Sequence, residues 1–214
     1  MEALRIGFFA SHGGSNMQAI VDACKTRKLD AEPTVLISNN SKSRAMERAQ
    51  QEGIPCFHLS SVGYSDPEIL DRVMLEVLET HKVNLIVLAG YMKKLGPETL
   101  SRYKGYILNI HPSLLPKHGG VGMYGDLVHE AVLNAKDKVT GITIHLVDEN
   151  YDTGSVISQS EVLVLEGDTV ETLGKRVLQR EHEFFVETLI KIRSGEIKFS
   201  LFEKDKSEEH TDNY

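Results

Sequence analysis

The segment Ile107-Leu-Asn-Ile-His-Pro-Ser-Leu-Leu-Pro116 begins as an apolar strand, acquires two polar side chains and is stopped by proline. Residues two apart on a strand share a face, so Asn109 and His111 project side by side. Pro112 has no N–H to extend a ladder, which places His111 at or near the last position of the strand. An amide and an imidazole at the carboxyl end of a buried strand stand where open α/β sheets carry their chemistry. Read alone, Asn-x-His is a capped strand end with a satisfied core histidine. The residues on either side change that balance.

Working back toward the amino end, the chain alternates. Arg5 to Ala10 is a continuously apolar strand, as expected of one buried on both faces. A turn, Ser11-His-Gly-Gly-Ser-Asn16, leads into a helix over about Ser15 to Lys25. Such a turn offers free N–H groups and the positive end of the helix dipole to an anion. It lacks the spacing of dinucleotide fingerprints and of P-loops, so a single phosphate monoester suits it better than a pyrophosphate. Its alternative is an ordinary strand-to-helix turn.

Strands follow at Thr34 to Ser38, Ile54 to Leu59 and Asn84 to Ala89. Helices fall at Ser43 to Glu52, ended by Gly53, and at Pro67 to His81, with Ile69, Leu70, Val73, Val77 and Leu78 as the expected buried face. Gly90 breaks the fourth strand into the loop Tyr91-Met-Lys-Lys-Leu95, and Pro97 suits the first turn of another helix.

Working forward, the Lys117 to Gly125 stretch is a glycine-rich loop and Asp126 to Asn134 a helix. Thr140 to Val147 and Gly154 to Val164 are strands joined by the acidic turn Asp148-Glu-Asn-Tyr-Asp-Thr-Gly154. So short a connection predicts an antiparallel pair. A long helix capped by Asp168-Thr169 runs to about Arg193. Projection at 100° per residue puts Leu173, Phe184, Val177, Val170, Phe185, Leu178 and Leu189 on one arc, with Glu181 near its middle. A carboxylate there needs a partner, within the protein or on a ligand. The predicted fold class is α/β, a doubly wound and mostly parallel sheet with an antiparallel carboxyl-terminal part. Residues 1–200 read as a single domain, and residues 201–214 as a charged, flexible tail.

Bulk properties narrow the function. The chain has 214 residues, 41% apolar, with a formal net charge of -7. No basic stripe points to nucleic acid, and no apolar run is long enough for a membrane span or signal peptide. The expected location is the cytoplasm. The two cysteines, Cys24 and Cys56, have neither disulfide nor metal spacing and read as small buried hydrophobes. His118 and His129 read as surface or loop histidines, and no metal is expected.

On the residues Asn109-Ile-His-Pro-Ser-Leu-Leu-Pro116, Gly14-Ser-Asn16, Leu88-Ala-Gly-Tyr-Met92, Thr140-Gly, His145, Asp148 to Gly154 and Glu181-His182, the chain resembles the folate-dependent phosphoribosylglycinamide formyltransferases of purine synthesis. The likeness runs from about Arg5 to Ile192. It implies a Rossmann-like formyltransferase fold and transfer of a formyl group from 10-formyltetrahydrofolate to the amine of glycinamide ribonucleotide. By the same likeness, Asn109, His111 and Asp152 form the catalytic trio, while Gly14, Ser15 and Asn16 hold the phosphate and Glu181 the sugar hydroxyls. Met92, Lys93, Lys94 and Leu95, with Asn109, Asp148, Glu149, Asn150 and Tyr151, line the folate site. The implied partners are small molecules, with neither nucleic acid nor membrane, and the implied protein is a monomer or homodimer.

Three departures stand out. The phosphate turn of the family usually reads Ser-Gly-Asn-Gly-Ser-Asn, whereas here His12 and Gly13 intervene. Pro67 stands where some relatives carry a folate-binding arginine. The Lys117 to Gly125 loop differs as well. The rival readings are a formyl-folate hydrolase, a tRNA formyltransferase, a sugar-nucleotide formyltransferase and a non-catalytic folate or ribonucleotide sensor. The chain as given opens on its first strand and ends on a short acidic segment, which disfavours the first two. The phosphate turn and Glu181 disfavour the third, and the intact trio the last.

Overall fold

The computed structural model describes residues 3–198; the expected tail over 201–214 lies outside them. One seven-stranded sheet has the order β3-β2-β1-β4-β5-β6-β7. It comprises β1 (Leu4–Phe9), β2 (Ala31–Ser38), β3 (Cys56–His58), β4 (Leu85–Leu88), β5 (Ile107–His111), β6 (Val139–Leu146) and β7 (Val156–Leu163). The first five are parallel, β6 runs antiparallel to β5, and β7 antiparallel to β6. The helices are α1 (Ser15–Lys25), α2 (Arg44–Gln51), α3 (Pro67–Thr80), α4 (Pro97–Arg102), α5 (Asp126–Asn134) and α6 (Val170–Ser194).

The parallel strands alternate between two buried cores, as a doubly wound sheet requires. Leu85 and Val87 of β4 face one layer with Ile6, Phe8 and residues of α1, α2 and α6. Ile86 and Leu88 face the other with Phe9, Val35, Ile37 and residues of α3. The order of the strands reverses between β1 and β4, and ligand crevices in such sheets open outside the carboxyl ends at that point.

The helix boundaries follow local chemistry. Ser43 caps α2 by accepting from the Met46 N–H, and Thr169 forms a reciprocal capping box with Thr172. Gly195 ends α6 in the left-handed region at φ 79.

Two faces differ from the pattern expected of their helices. On α3 the fully buried positions are Asp71, Met74 and Leu78, while Ile69 is 47% exposed. The reason is the Asp71 carboxylate, which leaves its own helix to cap another. Its oxygens accept from the Glu98 N–H (2.7 Å), the Thr99 N–H (3.2 Å) and the Thr99 hydroxyl (2.5 Å) at the start of α4. A β-carbon on Gly96 would overlap that carboxylate, so glycine is required there. On α6, Leu178 is exposed because the packed stripe runs through Leu173, Val177, Glu181, Phe184 and Phe185 instead. Asp71→Ala leaves two backbone donors of α4 without their acceptors. We expect it to lower stability by about 2 kcal/mol, the scale of a lost cap plus one further hydrogen bond. Urea unfolding measures this, and a loss under about 0.5 kcal/mol would show the cap to be energetically idle.

Cys24 and Cys56 are half-buried rather than fully buried, packed against the rim of the first core. Burial pushes the Cys24 thiol up to about 11, with Asp30 adding to the shift, so it stays protonated. His129 is not a surface histidine. It is buried on α5 against Gly174 of α6, whose missing side chain makes room for the ring.

Candidate active site

Pro112 ends β5 as expected, and His111 is its last residue. The antiparallel register of β5 with β6 sets Asn109 opposite His145 and His111 opposite Thr143. That register brings together residues 36 and 32 positions apart in the chain. Asn109 Nδ2 lies 3.1 Å from His145 Nε2, and His145 Nδ1 lies 2.8 Å from the Leu146 carbonyl. A carbonyl only accepts, so His145 carries its proton on Nδ1. In its neutral form its Nε2 then accepts from Asn109, which orients the amide; Nε2 can serve Asp152 Oδ1 only when it is protonated as well. His145 is thus part of the constellation, although its spacing in the chain gives no sign of contact with Asn109.

The acidic turn returns Asp152 to this point. Its Oδ2 is 3.5 Å from His111 Nδ1 and its Oδ1 is 3.5 Å from His145 Nε2. Asp152 holds φ 59, a left-handed conformation that aspartate tolerates better than most residues. Asp148 organises the turn, accepting from the Asn150 N–H and the Thr153 hydroxyl. Burial raises the Asp152 carboxyl, but the His145 contact, the Gly120 N–H and the His111 charge outweigh it, and the net shift is downward. His111 moves down as well. Burial is the largest cause and exceeds the upward pull of Asp152 and of the His118 carbonyl. His111 Nε2 lies 2.8 Å from that carbonyl, so both ring nitrogens face acceptors within the protein.

A cavity of about 630 Å³ opens beside Asn109, His145 and Asp152. That is within the usual range for small-molecule sites, roughly 300–1,000 Å³. Of the residues expected to line a folate site, Lys93, Lys94, Leu95, Asn109, Asp148, Glu149, Asn150 and Tyr151 all border it. Met92 does not border it; its N–H donates instead to Ser11 Oγ (2.8 Å), tying the end of β4 to the end of β1. Lys94 bridges the two walls. It donates to the Glu149 carbonyl (2.9 Å) and lies 5.0 Å from the centre of the Tyr151 ring. Pro67 starts α3 and is not among the lining residues.

The Leu114–Pro116 stretch is held against β6 by residues that the sequence did not single out. Thr143 Oγ1 accepts from the Leu115 N–H and donates to the Ser113 carbonyl, while Gln159 donates to the Leu115 carbonyl. The Leu115–Pro116 bond is cis.

At the end of β1, Gly14 takes φ 65 and abuts Ala45 of α2 so closely that a β-carbon would clash. Arg48 donates to the Gly13 carbonyl, and His12 is exposed. Ser15 opens α1, and Asn16 is buried with its Nδ2 2.8 Å from Glu181 Oε2. Glu181 therefore has a partner inside the protein. Burial still dominates and pushes its carboxyl up to about 7. His118 is a loop histidine as expected, half-buried, its Nε2 2.8 Å from Asp137 Oδ2. Among the described residues, no group of three or more His, Cys, Asp or Glu is placed to hold a metal ion, and no helix is long and apolar enough to cross a membrane.

Residues 4–189 match the family described as Formyl transferase. Among named relatives, phosphoribosylglycinamide formyltransferase of Bacillus subtilis is 38% identical over 181 residues, 85% of this chain and 90% of its own. The chloroplastic phosphoribosylglycinamide formyltransferase of Arabidopsis thaliana is 38% identical over 201 residues, 91% of this chain and 67% of the plant protein. The crystal structure of glycinamide ribonucleotide transformylase 1 from Geobacillus kaustophilus superposes with a TM-score of 0.83 at 38% identity. It covers 89% of this chain and 99% of that one. With the family match spanning most of the sheet and its helices, and full-length relatives this similar, the chain belongs to the formyl transferase family.

Proposed function

We propose that the chain transfers the formyl group of 10-formyltetrahydrofolate to the amine of glycinamide ribonucleotide, with Asn109, His111 and Asp152 around the reacting carbon. The observation that carries this reading is the constellation at the carboxyl end of β5. An oriented amide and a carboxylate held ionised border a cavity of small-molecule size, with the buried His111 imidazole 3.5 Å from that carboxylate.

The free amine attacks the formyl carbon, forming a C–N bond and leaving a negative oxygen. Asn109 offers that oxygen an N–H, and His111, which burial keeps mainly neutral in the free protein, adds positive charge nearby when it takes up a proton beside Asp152. Asp152 accepts the proton shed by the attacking amine, directly or through water. Collapse of the intermediate breaks the bond to the folate nitrogen, which takes up a proton as it leaves. No covalent enzyme intermediate is needed.

Gly14, Ser15 and Asn16 present the amino end of α1 to the substrate phosphate, and Glu181 accepts from the sugar hydroxyls. This binding is remote from the amine and serves to orient it. Lys93, Lys94 and Leu95, facing Asp148 to Tyr151, form the two walls between which the folate lies. The folate acts as a co-substrate, and the chemistry calls for no metal.

The test is to mix pure protein with 10-formyltetrahydrofolate and follow deformylation by absorbance, with and without glycinamide ribonucleotide. Loss of formyl that depends on the ribonucleotide is the expected result. Equal loss without any amine would make the protein a hydrolase, and no loss in either case would leave a binding protein.

A further inference from the structure

The turn at residues 117–120 touches both members of the buried His111/Asp152 pair from outside it. The His118 carbonyl accepts from His111 Nε2 at 2.8 Å, and the Gly120 N–H donates to Asp152 Oδ2 at 2.9 Å. Because a carbonyl cannot donate, His111 must carry a proton on Nε2. Its Nδ1 then faces Asp152 at 3.5 Å. A neutral imidazole can serve only one of these two acceptors, and the imidazolium alone serves both. The His118 carbonyl thus competes with Asp152 for the proton of a neutral ring and joins it in holding a charged one.

That carbonyl is in place only while His118 keeps φ 55, which a non-glycine residue holds when its surroundings enforce it. Asp137 provides the enforcement. One of its oxygens is 2.8 Å from His118 Nε2 and the other 2.5 Å from Lys117 Nζ. Ser113 Oγ adds a bond to the Lys117 carbonyl. Asp137 is itself anchored at the end of α5, its N–H donating to the Val132 carbonyl.

We infer that Asp137 is a positioning residue: it clamps the Lys117-His118 turn and, through the His118 carbonyl, fixes which nitrogen of His111 carries the proton opposite Asp152. The groups facing His111 are Asp152 from the acidic turn, His145 from β6, His118 from the clamped turn and His129 from α5. Of these, only the His118 carbonyl engages Nε2. The kinetic part of this inference rests on the formyl-transfer reading; the protonation part does not.

The experiment uses the full chain labelled with ¹⁵N at histidine and reads the His111 ring by NMR, in the wild type, Asp137→Ala, His118→Ala and the double variant. In the wild type the neutral ring should carry its proton on Nε2. In Asp137→Ala it should move to Nδ1, against Asp152, and the ring should titrate at lower pH because one stabilising acceptor is gone. His118→Ala keeps the carbonyl but loses the ring that anchors it, so it should behave alike, with the double variant no worse than either single one. In the transfer assay kcat should fall roughly five- to tenfold, the scale of one ordinary hydrogen bond, with both KM values nearly unchanged. An unaltered His111 tautomer and titration in Asp137→Ala would overturn the inference. Should that variant fail to fold, His118→Ala decides by the same criterion. Absence of transfer activity in the wild type would instead count against the proposed function and leave the NMR result to judge Asp137.

Discussion

His111→Ala and Asp152→Asn should each lower turnover by at least about two orders of magnitude, the scale of a lost acid–base group. The expectation follows from how the pair is buried. Asp152 keeps its charge despite burial because the His145 contact, the Gly120 N–H and His111 oppose the cost. The asparagine isostere keeps the shape and the Gly120 contact, but it can neither accept the amine's proton nor favour a charged His111. In His111→Ala, on the proposed mechanism, the carboxylate loses its imidazole neighbour and the developing oxyanion loses the ring that can become charged beside it, although burial favours the neutral form in the free protein. On that mechanism both changes act on groups engaged at the reacting carbon, so kcat should fall much more than either KM rises. Steady-state kinetics on folded, purified variants decide this. A kcat within about threefold of the wild type in either variant would remove that residue from the chemistry. A fall of equal size in both, with the double variant no slower, would show the two acting as one unit.

Much of this could be read from the chain, and the parts that could not share a cause. Pro112 marks the end of β5 by a covalent property, so the sequence alone puts His111 at the strand end. The starts of α2 and α6 follow from local caps at Ser43 and Thr169. By contrast, the contact of Asn109 with His145 depends on the register of two strands separated by the 117–125 loop and a helix. Only the assembled sheet sets that register. The clamp of Asp137 on His118 is hidden for the same reason. Periodicity turns Ile69 inward because it ranks side chains by hydrophobicity, whereas Asp71 is the one drawn inward, by backbone donors of another helix. The burial of His129 is not legible locally because the space it fills is left by Gly174, 45 residues further along the chain. Local chemistry marks the ends of elements, and long-range packing decides which of their faces turn inward.

Glu181 offers a second large effect, in which stability and binding should move in opposite directions. Burial holds its carboxyl at about 7 against a usual 4.5, with the Asn16 hydrogen bond opposing only in part. The folded protein therefore holds the proton more tightly than the unfolded chain does. Wild-type stability should fall as pH rises from about 4.5 through 7 and level off above that. Glu181→Gln cannot ionise and escapes this loss. At pH 8 the variant should be more stable than the wild type by up to about 3 kcal/mol, from roughly 2.5 pKa units, and at pH 5 the advantage should shrink to under about 1 kcal/mol. Urea unfolding at the two pH values measures the difference, and an equal gap at both would mean that the carboxyl does not titrate as described. Binding should respond the other way. Asn16 uses one oxygen of the carboxylate, and an ionised Glu181 can accept strongly from sugar hydroxyls, which the amide cannot match. Ribonucleotide affinity measured by calorimetry should drop about tenfold or more in Glu181→Gln. In the wild type it should weaken as pH falls below 7. A variant that gains stability at pH 8 while keeping full affinity would make Glu181 a structural residue and leave the sugar to be held elsewhere. A carboxylate costly to the free protein and useful to the complex is what a binding role requires of a buried charge.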